Sequence, residues 1–238
     1  MQYKKKPLSI DEQISKLENR GLIFSNKKQA AQYLQNISYY RLRAFTYPYQ
    51  DNREDANHEF IRDDIDFMDI IDLYVFDKRL RSLVFNEIEK IEIAIRSSIV
   101  SNACEFFNDP YWITDSKYFM SPNKFQKTLS LIDKELEHSK EDFIIHFRSK
   151  YSDTYPPAWI LAEILSLGTL MNVYYNLRDI TVQKKIAKEF GLQVKPFESW
   201  MTIVTLTRNS CCHHARVWNK QNTMLPMEPK HITRPWIS

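Results

Sequence analysis

Residues 207–219 read TRNSCCHHARVWN and place two of the chain's six histidines and two of its three cysteines side by side, between Arg208 and Arg216. Four such side chains suggest a metal first. Zinc takes about four converging N, S or O ligands. Consecutive residues on a helix fan out by about 100° each, so Cys211, Cys212, His213 and His214 cannot all reach one ion. No CxxC or HxxxH pair occurs elsewhere, and neither a metal nor any other cofactor is expected. A dithiol redox site prefers CxxC spacing, which the adjacent cysteines lack. Both are read as small buried hydrophobes.

Arg208 and His213 offer a different chemistry. Cleaving RNA requires a base to take the ribose 2′-OH proton, an acid to protonate the departing 5′ oxygen, and a fixed cation for the charge on the phosphorane. A histidine side chain can serve as acid or base near neutral pH, and an arginine fork matches phosphate geometry. The ribose supplies the nucleophile, so no metal is needed. Spacing alone does not separate this from a pair on a helix surface. Five positions put the two side chains roughly 140° apart on an ideal helix. They converge only if the helix starts or bends inside the motif, or if two copies of the chain combine. Ser210, a fair N-cap type, offers one such start.

Other polar groups can support such a site. Glu92 and Arg96 have the i, i+4 spacing of a helical ion pair, and either can instead orient Arg208 or His213. Tyr39, Tyr40, Arg41 and Arg43 mix aromatics with positive charge, a composition that suits RNA. The tyrosines are expected in the core, with Arg41, Arg43 and Arg216 as candidate RNA contacts. Trp159, Trp200 and Trp218 are also expected in the core. His58, His138, His146 and His231 have no partner pattern and receive no role.

The elements that must hold these groups are helical. Only 3 of 238 residues are glycine, too few for the turns of an all-β fold or for phosphate-cradling loops. No GxGxxG or Walker-type loop is present. The net charge of +3 does not by itself indicate nucleic-acid binding, which would need local patches. A helix is predicted over 9–20, with Ser9 and Glu12 at capping-box spacing and Gly21 as its stop. A second begins at Ser25, and residues 50–64 form a surface loop. Residues 66–102 contain no Gly or Pro and keep helical apolar spacing, predicting one long helix or two with a kink. Further helices are expected over 122–138 and 141–150, after the two prolines at 156–157 with a break at Gly168, over 180–190 before Gly191, and from Pro196 onward. No signal peptide or membrane span is legible. Three cysteines without a disulfide framework suit a reducing cytoplasm.

Four blocks occur in order: ISYYRLRAFTYPYQ (37–50), DKRLRSLVFNEIEKIEIAIRSSI (77–99), PPAWILAEILSLGTLMNVYYNL (156–177) and RNSCCHHARVWN (208–219). Together they resemble the Abi-like family of abortive-infection proteins, the AbiD/AbiF-like group, over nearly the whole chain. The resemblance implies phage defence and a relation to HEPN domains, all-helical and often metal-independent ribonucleases. Their Arg-polar…His signature falls here on Arg208, Asn209 and His213, with His214 at the alternative spacing. Cys212 stands where a small residue such as Ala is often seen. The expected fold is all-α: an HEPN-like bundle over 61–238 with an N-terminal helical extension over 1–60. HEPN nucleases combine two motifs and this chain has one, so a homodimer is implied. The expected partner is RNA, as substrate and as a possible restraining molecule. The alternative reading is a non-catalytic RNA-binding or protein-interaction module on the same fold.

Overall fold

The computed structural model describes residues 2, 6–54, 56–221 and 224–230; His231, given no role above, lies outside them. The described residues form ten α-helices, with short 3-10 turns and isolated β-bridges but no strand. The fold is all-α. It divides into two compact units, Met1–Leu83 with His214–Lys220, and Val84–His213 with Gln221–Ser238. The expected extension over 1–60 falls wholly within the first unit.

The first unit opens with α1 (Ile10–Glu18). The Ser9 hydroxyl accepts the Glu12 N–H, and the Glu12 carboxylate accepts the Ser9 N–H. These bonds satisfy two helix-end donors reciprocally. Gly21, at φ 94°, ends the turn. The Leu22 N–H reaches the Leu17 carbonyl and the Gly21 N–H reaches that of Glu18, while Leu22 itself is buried. The second unit repeats the device at Gly191, with Leu192 bonded back to Ala187. A left-handed residue lets the chain turn under its own helix and bury the next leucine.

α2 (Lys27–Ile37) corrects the expected start at Ser25. Its cap is Asn26, whose side chain accepts the Gln29 N–H. Ser25 donates its N–H and its hydroxyl to Asp66 instead. α3 (Tyr39–Thr46) carries Leu42 and Phe45 into the core, where they meet Ile14, Leu34, Phe67, Ile70 and Ile71.

α4 (Phe67–Phe107) is one uninterrupted helix of 41 residues, roughly 60 Å long at 1.5 Å per residue. It extends five residues beyond the expected end at Asn102. The boundary between the units falls within it. Ile95, Ile99 and Ala103 of its second half are fully buried in the second unit's core.

That core is built by α5 (Pro122–His138), α6 (Asp142–Lys150), α7 (Ala158–Ile164), α8 (Leu167–Tyr175), α9 (Ile180–Glu189) and α10 (Val194–Cys212). The break between α7 and α8 lies at Leu165–Ser166, not at Gly168, which sits inside α8. Ser166 caps α8, and the Glu135 carboxylate accepts its N–H and hydroxyl as well as the Thr169 hydroxyl. An anionic group at a helix N-terminus answers its exposed N–H groups. α10 begins at Val194, so Pro196 lies in its first turn, where its missing N–H costs nothing. Trp159, expected in the core, is half exposed: it follows Ala158 on a short helix whose inner face is already filled by Ala158, Leu161 and Ala162.

Candidate functional site

α10 runs through the motif and ends at Cys212, with His213 as its C-cap. Ser210 is therefore an interior residue, and no new helix starts there. The departure from helical geometry comes one step later, by termination. His214 adopts φ 56°, the left-handed conformation that glycine usually supplies at a helix end and that histidine tolerates better than most side chains. Cys211 is buried and Cys212 half-buried, consistent with cysteines that pack rather than react. Asn209, His213 and His214 are exposed.

Within the second unit, Arg208 is fixed by a residue 116 positions earlier. Its Nε donates to Glu92 Oε2 at 3.3 Å, and a terminal nitrogen of Arg96 donates to Glu92 Oε1 at 3.2 Å. Arg96 also donates to the Ala162 carbonyl, tying α4 to α7. One carboxylate thus lies between two guanidiniums, leaving one net positive charge. The side chains of Glu92 and Arg96 are 16% and 12% exposed and that of Arg208 is 28%. The two partners are shielded, while Arg208 keeps a face to solvent. Glu92 and Arg96 form a local i, i+4 pair, and Glu92 also bonds the motif arginine.

The residues after His213 are organised within the first unit. Arg41 donates to the His214 carbonyl at 2.9 Å, and Arg216 donates to the Ala44 carbonyl. The Val217 and Trp218 N–H groups both donate to Asp77 Oδ1, at 2.9 and 2.7 Å. The second Asp77 oxygen accepts from Arg81. Asp77 is fully buried and Arg81 nearly so. This pair was missed in the sequence, although an Asp and an Arg four apart in DKRLR was a visible signal. Arg43 faces His58, with Nη2 and Nε2 3.4 Å apart. Tyr39 is half-buried, but Tyr40, expected in the core, is 81% exposed.

Among the described residues, no three His, Cys, Asp or Glu side chains gather as metal ligands would. No helix among them is long and apolar enough to cross a membrane.

An all-helical chain with its Arg…His motif at the end of a helix, gripped from α4, fits the family resemblance carried by the four blocks. The family model described as Abi-like protein matches residues 32–219, a span that contains α4 and the whole motif. The chain belongs to this family, and membership points to abortive infection, a defence against phage. No curated protein and no solved structure gives a match.

Proposed function

We propose that the protein is a metal-independent endoribonuclease of the HEPN type that acts as a toxin in abortive infection. The observation that carries the reading is Arg208, held by Glu92 with a face to solvent, on the last turn of a helix that His213 caps in an exposed position. A guanidinium held by a carboxylate is pre-aimed, which is what stabilising charge on a phosphorane demands. The imidazole of His213 is the general acid or base, exchanging a proton with the 2′-OH or the departing 5′ oxygen. Asn209, one residue on from Arg208 and exposed, offers an amide to the scissile phosphate. His214, Glu92 and Arg96 support the motif.

One Arg–His pair provides half of the acid–base chemistry, and a second copy of the chain supplies the other half in a homodimer. Arg41, Arg43 and Arg216 are the proposed RNA contacts. Of these, Arg216 is committed to the Ala44 carbonyl and Arg41 to that of His214, so their first effect is to shape the segment around the motif.

The test is cleavage of end-labelled RNA by purified protein in the presence of EDTA. The expected products carry a 2′,3′-cyclic phosphate and a free 5′-OH. Cleavage lost in EDTA and restored by magnesium would point to another active site. RNA binding without cleavage would leave the non-catalytic alternative standing.

A further inference from the structure

In the second unit, α9 and the first turns of α10 border an open cleft of about 1130 Å³. Its walls carry Met120, Ile180, Leu192, Val194 and Met224, of which Met120, Ile180 and Met224 stay about half exposed or more. The polar groups between them turn inward. Gln183 is buried and its amide nitrogen donates to the Tyr174 carbonyl at 3.0 Å, and the Tyr175 hydroxyl donates to the Glu198 carbonyl at 3.3 Å. What remains on offer is apolar, and two of the exposed side chains are methionines, whose unbranched thioethers adapt to an incoming surface. Segment 224–230 brings Met224 there: the Met227 carbonyl accepts from Trp200 Nε1 at 3.0 Å, and the Met227 N–H donates to Ser199 Oγ at 2.9 Å.

The charge around this apolar surface is one-sided. Lys124, Lys184 and Lys188 line the cleft, and none of the three forms an ion pair among the described residues. The acidic groups nearby are committed elsewhere or stand apart. Glu198 pairs with Lys195 at 3.2 Å, Asp179 caps the start of α9 by accepting the Thr181 N–H, and Glu189 accepts from Ser98 and Asn102 of α4. Glu228, next to Met227, is exposed and pairs with none of the three lysines. Lys184 and Lys188 are exposed one turn apart on α9, a like-charge i, i+4 spacing that costs a helix stability. Lys185, one step round the same helix, is answered by Glu105 at 2.6 Å. The chain thus compensates the lysine outside the cleft and leaves the two within it open.

We propose that this cleft is a docking site for an acidic amphipathic helix of a partner protein, its apolar stripe on Met120, Ile180 and Met224 and its carboxylates on Lys184 and Lys188. Charge complementarity sets the sign of the occupant. Spacing sets its form: the two lysines are about 6 Å apart along the α9 axis, the rise between carboxylates at i and i+4 of a second helix laid alongside. From Ile180 to Lys188 the wall runs about 12 Å, a little over two turns. The same lining argues against an RNA strand. Arginine forks and exposed aromatic rings hold phosphates and bases, whereas the described lining has no arginine and only the half-buried Tyr175. It argues against a small molecule too, because such ligands are buried over most of their surface and this cleft is open along its methionines. The partner sits on the first turns of α10, the helix whose last turn carries Arg208, but the inference does not rest on the cleavage chemistry.

The experiment is fluorescence anisotropy of the full chain with a labelled synthetic helix of about four turns, leucines at i, i+3, i+4 and i+7 and glutamates beside them, and with versions carrying Gln or Lys for every Glu. Saturable binding of the Glu peptide is expected, with the Gln peptide weaker by about tenfold. The substitutions fall at exposed positions and leave the core alone. Lys184→Glu combined with Lys188→Glu should weaken the Glu peptide by about tenfold or more at low salt, less at high salt, and should strengthen binding of the Lys peptide. Met120→Ser should weaken the Glu and Gln peptides alike, by about three- to tenfold. Lys185→Gln, on the same helix outside the cleft, should leave both within about twofold. The proposal is overturned if the Glu peptide does not bind, if the double reversal leaves its binding unchanged, or if Lys185→Gln weakens it as much. It is also overturned if a 2′-O-methyl RNA pentamer or anionic phospholipid vesicles displace the peptide and lose that ability in the double reversal, which would assign the cleft to RNA or to a membrane surface.

Discussion

Arg208 shares Glu92 with Arg96, so its guanidinium is both oriented and partly neutralised. Removing His213 as the acid–base group should lower RNA cleavage by about 10²–10⁴-fold, and Arg208→Ala by about 10²–10³-fold, both in folded protein. The two should separate in binding. His213→Ala should still bind RNA, whereas Arg208→Ala should weaken binding and reduce its salt slope by about one. Filter binding across a salt series, beside single-turnover cleavage, reads both effects; equal salt slopes for wild type and Arg208→Ala would contradict the assigned role. His214 gives a stability prediction. A left-handed conformation costs an L-residue roughly 1–2 kcal/mol, while glycine brings its own unfolded-state entropy. His214→Gly should therefore be neutral or stabilising by up to about 1 kcal/mol in urea denaturation, and His214→Ala should give no such relief.

On α4, the first half contributes a different device from the second. Asp77 is a buried carboxylate that meets Arg81 on its own helix and two backbone N–H groups of the segment after the motif. Deleting one member of a buried pair strands the other, at a cost of about 3–5 kcal/mol, whereas replacing both with apolar groups of like size is often tolerated. Asp77→Ala should thus destabilise strongly, and the double change Asp77→Leu, Arg81→Met should recover only part of the loss in equilibrium unfolding, because the Val217 and Trp218 N–H groups still lack their acceptor. In the double variant, whose leucine offers no acceptor, the Val217 and Trp218 amides should exchange with solvent faster than in wild type. Unchanged protection there would show that Asp77 serves the helix alone.

For the whole molecule, the second unit's tyrosines set an alkaline limit. Partial burial, then the hydrogen bond donated to Asp133, pushes the Tyr155 phenol up to about 12. Burial likewise raises Tyr174 and Tyr175. A raised phenol favours the neutral form in the fold. Its contribution is complete below the unfolded value of about 10 and is lost as pH rises through the folded value. Stability should fall steeply above about pH 10, and Tyr155→Phe should flatten that fall, as followed by tyrosinate absorbance and circular dichroism. The single motif also bears on assembly. Light scattering should give twice the chain mass at micromolar concentration, and a mixture of His213→Ala with wild type should lose more activity than its wild-type fraction accounts for. A strict monomer that retains cleavage would refute the paired site.

Local physics made much of the fold legible in advance. The Ser9–Glu12 box, Gly21, Gly191 and the Gly- and Pro-free run of α4 are short-range signals, and the chain obeys them. So is the motif: residues 208–213 sit together because they are adjacent in sequence, and the four ordered blocks were enough to mark the family. Where neighbours compete for the same short-range role, sequence could not choose. Ser25 and Asn26 are both good caps, and Asp66, 41 residues away, decides between them. Ser210 is a cap type that here lies inside a helix, because α10 is held through Cys212 by the packing of Phe197, Met201 and Cys211. Contacts across long separations were beyond local reading altogether. Glu92 with Arg208, Asp77 with Val217 and Trp218, and Arg41 with His214 join residues more than a hundred positions apart. Such a pairing depends on which helix faces which, and that is settled by the burial of the whole apolar surface, not by any spacing along the chain.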